Sequence, residues 1–507
     1  MNISRRFFIG GLAGCAVVGP RRIFAAAPGA FAQGVPELAF GVLSDVHICL
    51  EKGGKKLKKS YDTTYLEKAF AWFRDNGADA VVIAGDMAHS GLVGELKAVA
   101  DAWNKVFPGD TAPDGRHVER VFVFGNHDWS SPGRAKAVFA DETELKANYL
   151  SVDPKKHWDA VFHEEWTPFF MRKVKGYDFV GCHWTNGGCN GKKEVFTKGL
   201  ADYYAKIGGT LDPKRPFFHI QHPHPRGTVH GDVWGQDDGE SVKALSARPN
   251  AVAFSGHSHT SLVDERAIWQ GAFTSVGTAT LRDIGPGGLK CGLEAGYENY
   301  STPRAHKELD ALKTMSAINR MEGKQGQFVR VYSDRIVFSR RDFVNDTALT
   351  DDQVMPLPAA ESRPFAFETR RAAAKAPRFA EGAALAFATT EAKCRGAKKG
   401  AKAKPCVVIT VPPANAELAA RCVRYGIVAK GADGAKAEFA LLHAGFRFSK
   451  TDKRTNAGAK CRLALDRLPA GDVTFEVRAY SCWDKASEPL MGKFQSFRVS
   501  KFQSFKV

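Results

Sequence analysis

The chain has 507 residues, 44% hydrophobic and 25% charged, the balance of a soluble globular protein too long for one small domain. Its formal net charge is +17, but the excess sits in N-terminal basic pairs and in two lysine-rich stretches, Lys55 to Lys59 and Lys393 to Lys404, which read as solvated loops. No nucleic-acid-binding motif accompanies the charge, and no later stretch has the ~20 apolar residues of a membrane span, so both classes are set aside.

The N-terminus reads as an address. Ser4-Arg5-Arg6-Phe7-Phe8 leads into a short apolar run ending at Val18. That pattern matches a twin-arginine export signal over residues 1–32, with small-residue cleavage sites after Ala27 or Ala32. Leu12-Ala13-Gly14-Cys15 also reads as a lipobox, in which acylation of Cys15 would tie the mature chain to a membrane. The expected partner is the twin-arginine machinery, and the expected location is periplasmic or exported, lipid-anchored only through Cys15. In that oxidising compartment Cys182 with Cys189, and pairs among Cys394, Cys406, Cys422, Cys461 and Cys482, are disulfide candidates. Their spacing fits no zinc ribbon.

Leu38 to Ser44 is a compact apolar strand ending in Asp45-Val46-His47. Tyr65, Leu66, Ala69, Phe70 and Phe73 recur at helical spacing, and Gly77 closes that helix. Ala80 to Ala84 is a second buried strand, ending in Gly85-Asp86. Strand, helix, strand predicts a βαβ unit with parallel strands. A helix over about Leu92 to Val106 leads to the strand Val121 to Phe124, which delivers Gly125-Asn126-His127-Asp128.

Further strands are expected at Tyr177 to Cys182, ending in His183-Trp184, and at Phe217 to Gln221, ending in His222-Pro223-His224. Another runs from Ala251 to Phe254 and ends in Gly256-His257-Ser258-His259. Ala267 to Leu281 reads as antiparallel strand, and Gln327 to Asp342 as a hairpin turning at Ser333-Asp334. These set a first domain over residues 33–349. Ala, Pro and charge over 350–378 suggest a linker. From 379 to 507 short alternating strands predict an all-β sandwich, and Phe475 to Tyr480 with Trp483 resembles the end of a fibronectin type III-like domain. The tail duplicates Phe494-Gln495-Ser496-Phe497 as Phe502-Gln503-Ser504-Phe505.

A polar turn after one strand is an ordinary cap. Here strand after strand ends in Asp, His or Asn, which unrelated caps would not keep choosing. Asp45, His47, Asp86, Asn126, His222, His257 and His259 are ligands that suit divalent metals. Seven exceed one tetrahedral site and suit two metals sharing a bridge, for which Asp86 is the best placed carboxylate. His222 is preferred to His224 because it directly leaves the apolar strand.

The ordered set D-x-H, G-D, G-N-H-D, H, G-H-x-H resembles the calcineurin-like metallophosphoesterase superfamily. The resemblance implies an α/β fold, a four-layer arrangement of two packed sheets flanked by helices. It implies two divalent ions, manganese, iron or zinc. Asp45, His47 and His259 would hold one, Asn126, His222 and His257 the other, with Asp86 bridging. It implies hydrolysis of phosphate mono- or diesters by a metal-activated hydroxide, with His127 as the acid near the leaving group and Asp128 orienting it. Purple acid phosphatases carry a ligand tyrosine three residues after the bridging aspartate. This chain has His89 there, which argues against a tyrosinate-iron site and reads as a loop histidine. Trp129, His183, Trp184, Asn186, Asp237 and Asp238 are candidate cleft residues. The rival expectation is a catalytically silent binding or scaffold protein on the same fold.

Overall fold

The computed structural model describes residues 34–185, 199–231, 235–285, 323–392, 402–414, 420–449 and 451–495. The export signal, Cys15, Asn186, Cys189, Cys394 and most of the duplicated tail lie outside the described residues.

Strand β1 (Leu38–Leu43) is buried on both faces. Leu38, Phe40 and Val42 point into one core, and Ala39 and Leu43 into another. Such two-sided burial is why the strand reads as a continuous apolar run. Gly41 is the exception, because a Cβ there would collide with the Phe73 ring of α1 (Thr64–Asp75). β2 (Ala80–Ala84) and β3 (Glu119–Val123) continue the sheet in parallel, with α2 (Val93–Val106) as the second crossover.

A second sheet holds β4 (Phe169–Val174), β5 (Tyr177–Cys182), β6 (Phe217–Ile220), β7 (Ala251–Ser255), β8 (Ile268–Gln270) and β9 (Thr274–Gly277), in the order β4-β5-β6-β7-β9-β8. The hairpin β10 (Gln325–Val331) and β11 (Arg335–Asp342) returns to the first sheet, where β10 pairs antiparallel with β1. Phe40 lies edge-on to Phe179, Phe218 and Phe254 of the second sheet, with ring centroids 5.1, 4.8 and 5.7 Å away. The two sheets therefore pack face to face, with α1 and α2 outside the first. This is the expected metallophosphoesterase α/β architecture.

The segment expected as linker is partly built into this domain. β12 (Thr347–Ala348) and β13 (Gln353–Pro356) both pair with β11, and a short helix, Phe367–Ala373, follows. Met355, Ala359 and Phe365 are buried in the inter-sheet core, so a few apolar residues recruit a stretch whose composition is otherwise that of a loop.

The C-terminal part contains β14 (Ala386–Ala392), β15 (Lys404–Val411), β16 (Arg424–Gly431), β17 (Lys436–Leu442), β18 (Ala459–Ala464), β19 (Val473–Tyr480) and β20 (Leu490–Phe494). They form two antiparallel sheets, β14-β15-β18 and β17-β16-β19-β20, around one core. Val473, Phe475, Val477 and Ala479 alternate into it along β19. Cys406, Cys422, Cys461 and Cys482 are buried thiols not bonded to one another.

The two parts share a further core. Leu262, Val263 and Ile284 pack with Val423, Phe446 and Trp483. Gln325 accepts from the Leu262 N–H (2.8 Å) and donates to the carbonyl of fully buried Arg447 (2.8 Å). Trp483 Nε1 donates to Glu265 at 2.6 Å. No helix of the described residues is long and apolar enough to cross a membrane.

Candidate metal centre

The strand ends meet at the edge of the sandwich, and their backbone is unusual. Asp45, His47, Asp86, His257 and His259 have φ of 51°, 52°, 57°, 69° and 55°. L-residues disfavour this left-handed region, by roughly 1–2 kcal/mol each. Such conformations persist only where the surroundings over-determine them, and they concentrate at functional sites. The Asp45 N–H donates to the Gly85 carbonyl at 3.0 Å and the His47 N–H to that of Asp86 at 2.9 Å, which locks the first two strand ends together.

The glycines of the motifs act as spacers. A Cβ on Gly85 would run into the His222 ring, one on Gly125 into the Asp86 carboxylate, and one on Gly256 into Asp45 and Ser44. Each motif therefore leaves room for a side chain delivered by another motif.

His259 Nε2 is 3.0 Å from Asp45 Oδ1 and 3.2 Å from His47 Nε2. His222 Nε2 is 3.1 Å from both Asn126 Oδ1 and His257 Nδ1. Asp86 Oδ2 lies between the two groups, 3.5 Å from His47 Nε2 and 3.2 Å from His222 Nε2. The ring nitrogens are already sorted. His222 Nδ1 faces the Ala84 carbonyl at 2.8 Å and His259 Nδ1 that of Asp283 at 3.0 Å. With those N–H groups donating outward, each Nε2 lone pair turns inward, the usual arrangement of metal-ligating histidines.

Three observations fit this donor set to cations. Asp45 Oδ1 is buried and accepts no hydrogen bond, although His259 is adjacent. Asp45, His47 and His259 bring one ligand atom each within 4.8 Å of one another, as do Asp86, His222 and His257. Burial lowers the affinity of His222 and His259 for a proton, yet the carboxylates overcome it, Asp86 and Asp45 raising His222 to about 9 and Asp45 and Asp283 raising His259 to about 10. The carboxylates thus demand positive charge, while burial holds His47 and His257 below the ordinary histidine value and neutral. Two divalent ions satisfy that demand with all seven ligands neutral or anionic as required.

His127 stands beside the ligands, its ring edge-on to His47 with centroids 4.5 Å apart. Its Nδ1 faces the His89 carbonyl at 2.9 Å, and its N–H donates to Asp86 Oδ1 at 2.8 Å. Burial pushes its pKa down, and Asp86 opposes that shift. Asp128 does not orient the His127 ring as expected. It is fully buried and accepts from the N–H groups of Ala88 (2.6 Å), Gly125 (2.7 Å) and Met87 (3.3 Å), fastening the loop after β2 to the loop after β3. Orientation of the ring instead comes from the backbone of His89.

The His89 ring stacks on His127 at 5.2 Å, and its Nδ1 accepts from Arg282 at 3.0 Å. Arg282 also donates to Tyr61 Oη at 3.0 Å. Sequence reasoning missed Arg282 and Asp283 in this role. They lie in the loop beyond β9, after Thr278-Ala279-Thr280-Leu281, and lack the continuous apolar run that marks the other strand ends.

His222 is brought into the cluster and His224 is not. His224 has Ser255 Oγ at 2.8 Å on Nδ1 and Ser258 Oγ at 2.7 Å on Nε2. His183 accepts from the Phe124 N–H at 3.0 Å and packs against Trp158 and Trp166, a structural position. Trp129 stacks on Trp166, whereas Trp184 lies 5.8 Å from the His257 ring and walls the centre. Asp237 holds its own loop, accepting from Gln221 and from the Arg226 and Gly239 N–H groups, and Asp238 caps the next helix through the Glu240 N–H.

Residues 38–261 match the family model described as calcineurin-like phosphoesterase. This part of the chain is a calcineurin-like metallophosphoesterase domain. The matched family is one of phosphoesterases, which points to phosphoester hydrolysis, and the Asp and His clusters fit divalent ions. Among solved structures the chain is similar to a dimetal phosphatase from Danio rerio, at 12% identity and TM-score 0.35, covering 63% of this chain and 99% of that one. It is also similar to a purple acid phosphatase from yellow lupin seeds, at 11% identity and TM-score 0.37, covering 62% and 53%. A third is the NAD nucleotidase of Haemophilus influenzae, at 11% and 0.24, covering 63% and 49%. No curated protein matches the chain.

Proposed function

We propose that the metallophosphoesterase domain is an exported phosphohydrolase acting on phosphate mono- or diesters. The observation that carries the reading is the convergence of Asp45, His47, Asp86, Asn126, His222, His257 and His259, with a buried carboxylate oxygen of Asp45 that accepts no hydrogen bond among them. Asp45, His47 and His259 would hold one divalent ion and Asn126, His222 and His257 the other, with Asp86 shared. Two such ions, when bound, neutralise phosphoryl oxygens and supply a hydroxide-like nucleophile near neutral pH.

The chain's own residues do the rest. With Nδ1–H donating to the His89 carbonyl, His127 Nε2 is the atom left to hold a proton and give it to the departing alkoxide, a contribution typically of ~10²–10⁴ in rate. Asp86 steadies it from the backbone side. Trp184 and the buried faces of the histidines exclude water from behind the centre. The strand order of the C-terminal sheets, three strands facing four, supports the fibronectin type III-like reading of that part. The paired Arg5 and Arg6 support export through the twin-arginine machinery.

The test separates binding from chemistry. Asp86→Asn should lose metal, and activity with it. His127→Ala should keep both metals and lower kcat, more for an alkyl ester than for an aryl ester whose leaving group needs little protonation. Metal loss in His127→Ala, or equal slowing of both esters, would reassign that residue. A fully metallated wild type that cleaves neither mono- nor diesters would favour a silent binding protein.

A further inference from the structure

A second charged site lies where the two parts of the chain meet. A cavity of about 460 Å³ opens between β11, the segment 350–354, the helix Phe367–Ala373 and the C-terminal residues Arg421 and Ser481–Trp483. None of the seven converging metal-centre residues lines it. Its cations are Arg340, Arg370, Lys375 and Arg421.

Arg340 is the decisive group. It is only 4% exposed, and its Nε and one terminal nitrogen are buried with no hydrogen-bond partner. The other terminal nitrogen donates to the Leu262 carbonyl at 2.6 Å. Buried charges are normally paired, and buried guanidinium N–H groups are normally satisfied. Three nearby acids are engaged elsewhere. Asp264 accepts two bonds from Arg266, at 3.0 and 2.7 Å. Asp352 accepts from Arg330 at 3.1 Å and Ser339 at 2.7 Å. Glu265 accepts from Trp483 at 2.6 Å and stands 3.9 Å from Arg370. Burial, together with the Arg370 charge, pushes Arg340 down to about 9. Asp351 lines the cavity as well, so its walls carry four cations against three acids, Glu265, Asp351 and Asp352, while Arg340 Nε and one terminal nitrogen stay without a hydrogen-bond partner.

We infer that this interdomain cavity binds a phosphate-type oxyanion, held by the unpartnered N–H groups of Arg340 with Arg370 and Lys375 at its mouth. A guanidinium presents parallel donors that match a phosphate in fork geometry. Two sources share that chemistry, inorganic phosphate and the phosphate of a small organic ester. The cavity is within the range of small-molecule pockets and exceeds what one phosphate fills, which favours the ester. Because its walls come from both parts of the chain, the ligand would tie the C-terminal sheets to the metallophosphoesterase domain.

The experiment uses the full chain stripped of metal with a chelator, so that no ester is hydrolysed. Inorganic phosphate, a hexose phosphate and a dicarboxylate of similar length are titrated by calorimetry, with thermal melts alongside. Saturable binding of a phosphate species with a raised Tm is expected, tighter for the hexose phosphate. Lys375→Ala, at an exposed position, should weaken it at least fivefold while leaving the ligand-free Tm unchanged; Arg370→Ala should weaken it likewise and is read against its own ligand-free melt, because Arg370 also donates to the Glu265 carbonyl and lies over the Phe365 and Trp483 rings. Arg340→Gln should abolish it, and Arg340→Lys should not restore it. Absence of saturable binding overturns the proposal. So does binding that survives Arg370→Ala and Lys375→Ala together, or binding confined to the dicarboxylate. Arg340→Gln carries weight only if its ligand-free melt stays cooperative, and Lys375→Ala, at the exposed position, decides the matter without it.

Discussion

Gly125→Ala tests whether the motif glycines are spacers of the metal centre. Gly125 has φ −103° and ψ −172°, a conformation open to alanine, so the substitution brings no backbone penalty. Its whole effect is steric. The new Cβ would overlap Asp86 Oδ1, approach the Asp86 backbone nitrogen at 2.5 Å and reach the His222 ring at 2.8 Å. Overpacking a close-packed site typically costs about 1–3 kcal/mol. The groups that must yield are the shared carboxylate and a ligand of one metal. If the centre absorbs the strain, about 1.4–2.8 kcal/mol is roughly a 10- to 100-fold loss of metal affinity. If the fold absorbs it, Tm falls by about 2–4 °C per kcal/mol for a domain of this size. The assay is metal content after dialysis against graded competitor, with melts of the stripped and loaded protein. A weaker metal affinity with a stripped-protein Tm close to wild type is expected. Wild-type metal affinity, whatever happens to Tm, would refute the reasoning.

Asp128→Ala leaves the buried N–H groups of Ala88 and Gly125 without an acceptor, at roughly 1–3 kcal/mol each, so chemical denaturation should show a loss well beyond a surface substitution. Truncation after Leu357 removes half of the core shared by Leu262, Val263, Phe446 and Trp483, together with the Gln325–Arg447 bond; the shortened chain should melt lower or aggregate, and an unchanged Tm would show the two parts to be independent. Replacing Arg5 and Arg6 with lysine should retain the protein in the cytoplasm by cell fractionation, and a fatty-acid probe should label the chain only if Cys15 is intact.

The elements that carry the metal centre were legible because both sheets are buried on two faces. Continuous apolar runs such as Ala80–Ala84 stand out, and each stops where a polar residue begins. The ligands themselves were legible because Asp, His and Asn recur after strand upon strand, although His183 after β5 shows that one such residue alone can be structural. Asp128 was not. Its acceptor geometry depends on the Ala88 and Met87 amides some 40 positions earlier, which no local pattern encodes. Arg282 reaches His89 across 193 positions for a similar reason. β4 escaped because its residues are half-buried and mixed with Arg172 and Lys173, and β13 because Pro and Ala around it read as loop.

The left-handed backbone at Asp45, His47, Asp86, His257 and His259 bears on any attempt to make this protein hardier. A common route to a more stable chain is to find non-glycine residues with positive φ and replace them with glycine, releasing strain at each. Applied here, that search would return, among others, the five positions whose side chains are needed most. The relaxed variant would fold more readily and hold nothing. Tolerance to heat and capacity for metal are set against each other at the same residues, so hardening should begin at His163, whose positive φ ends the helix Pro154–Phe162 and whose side chain is no ligand.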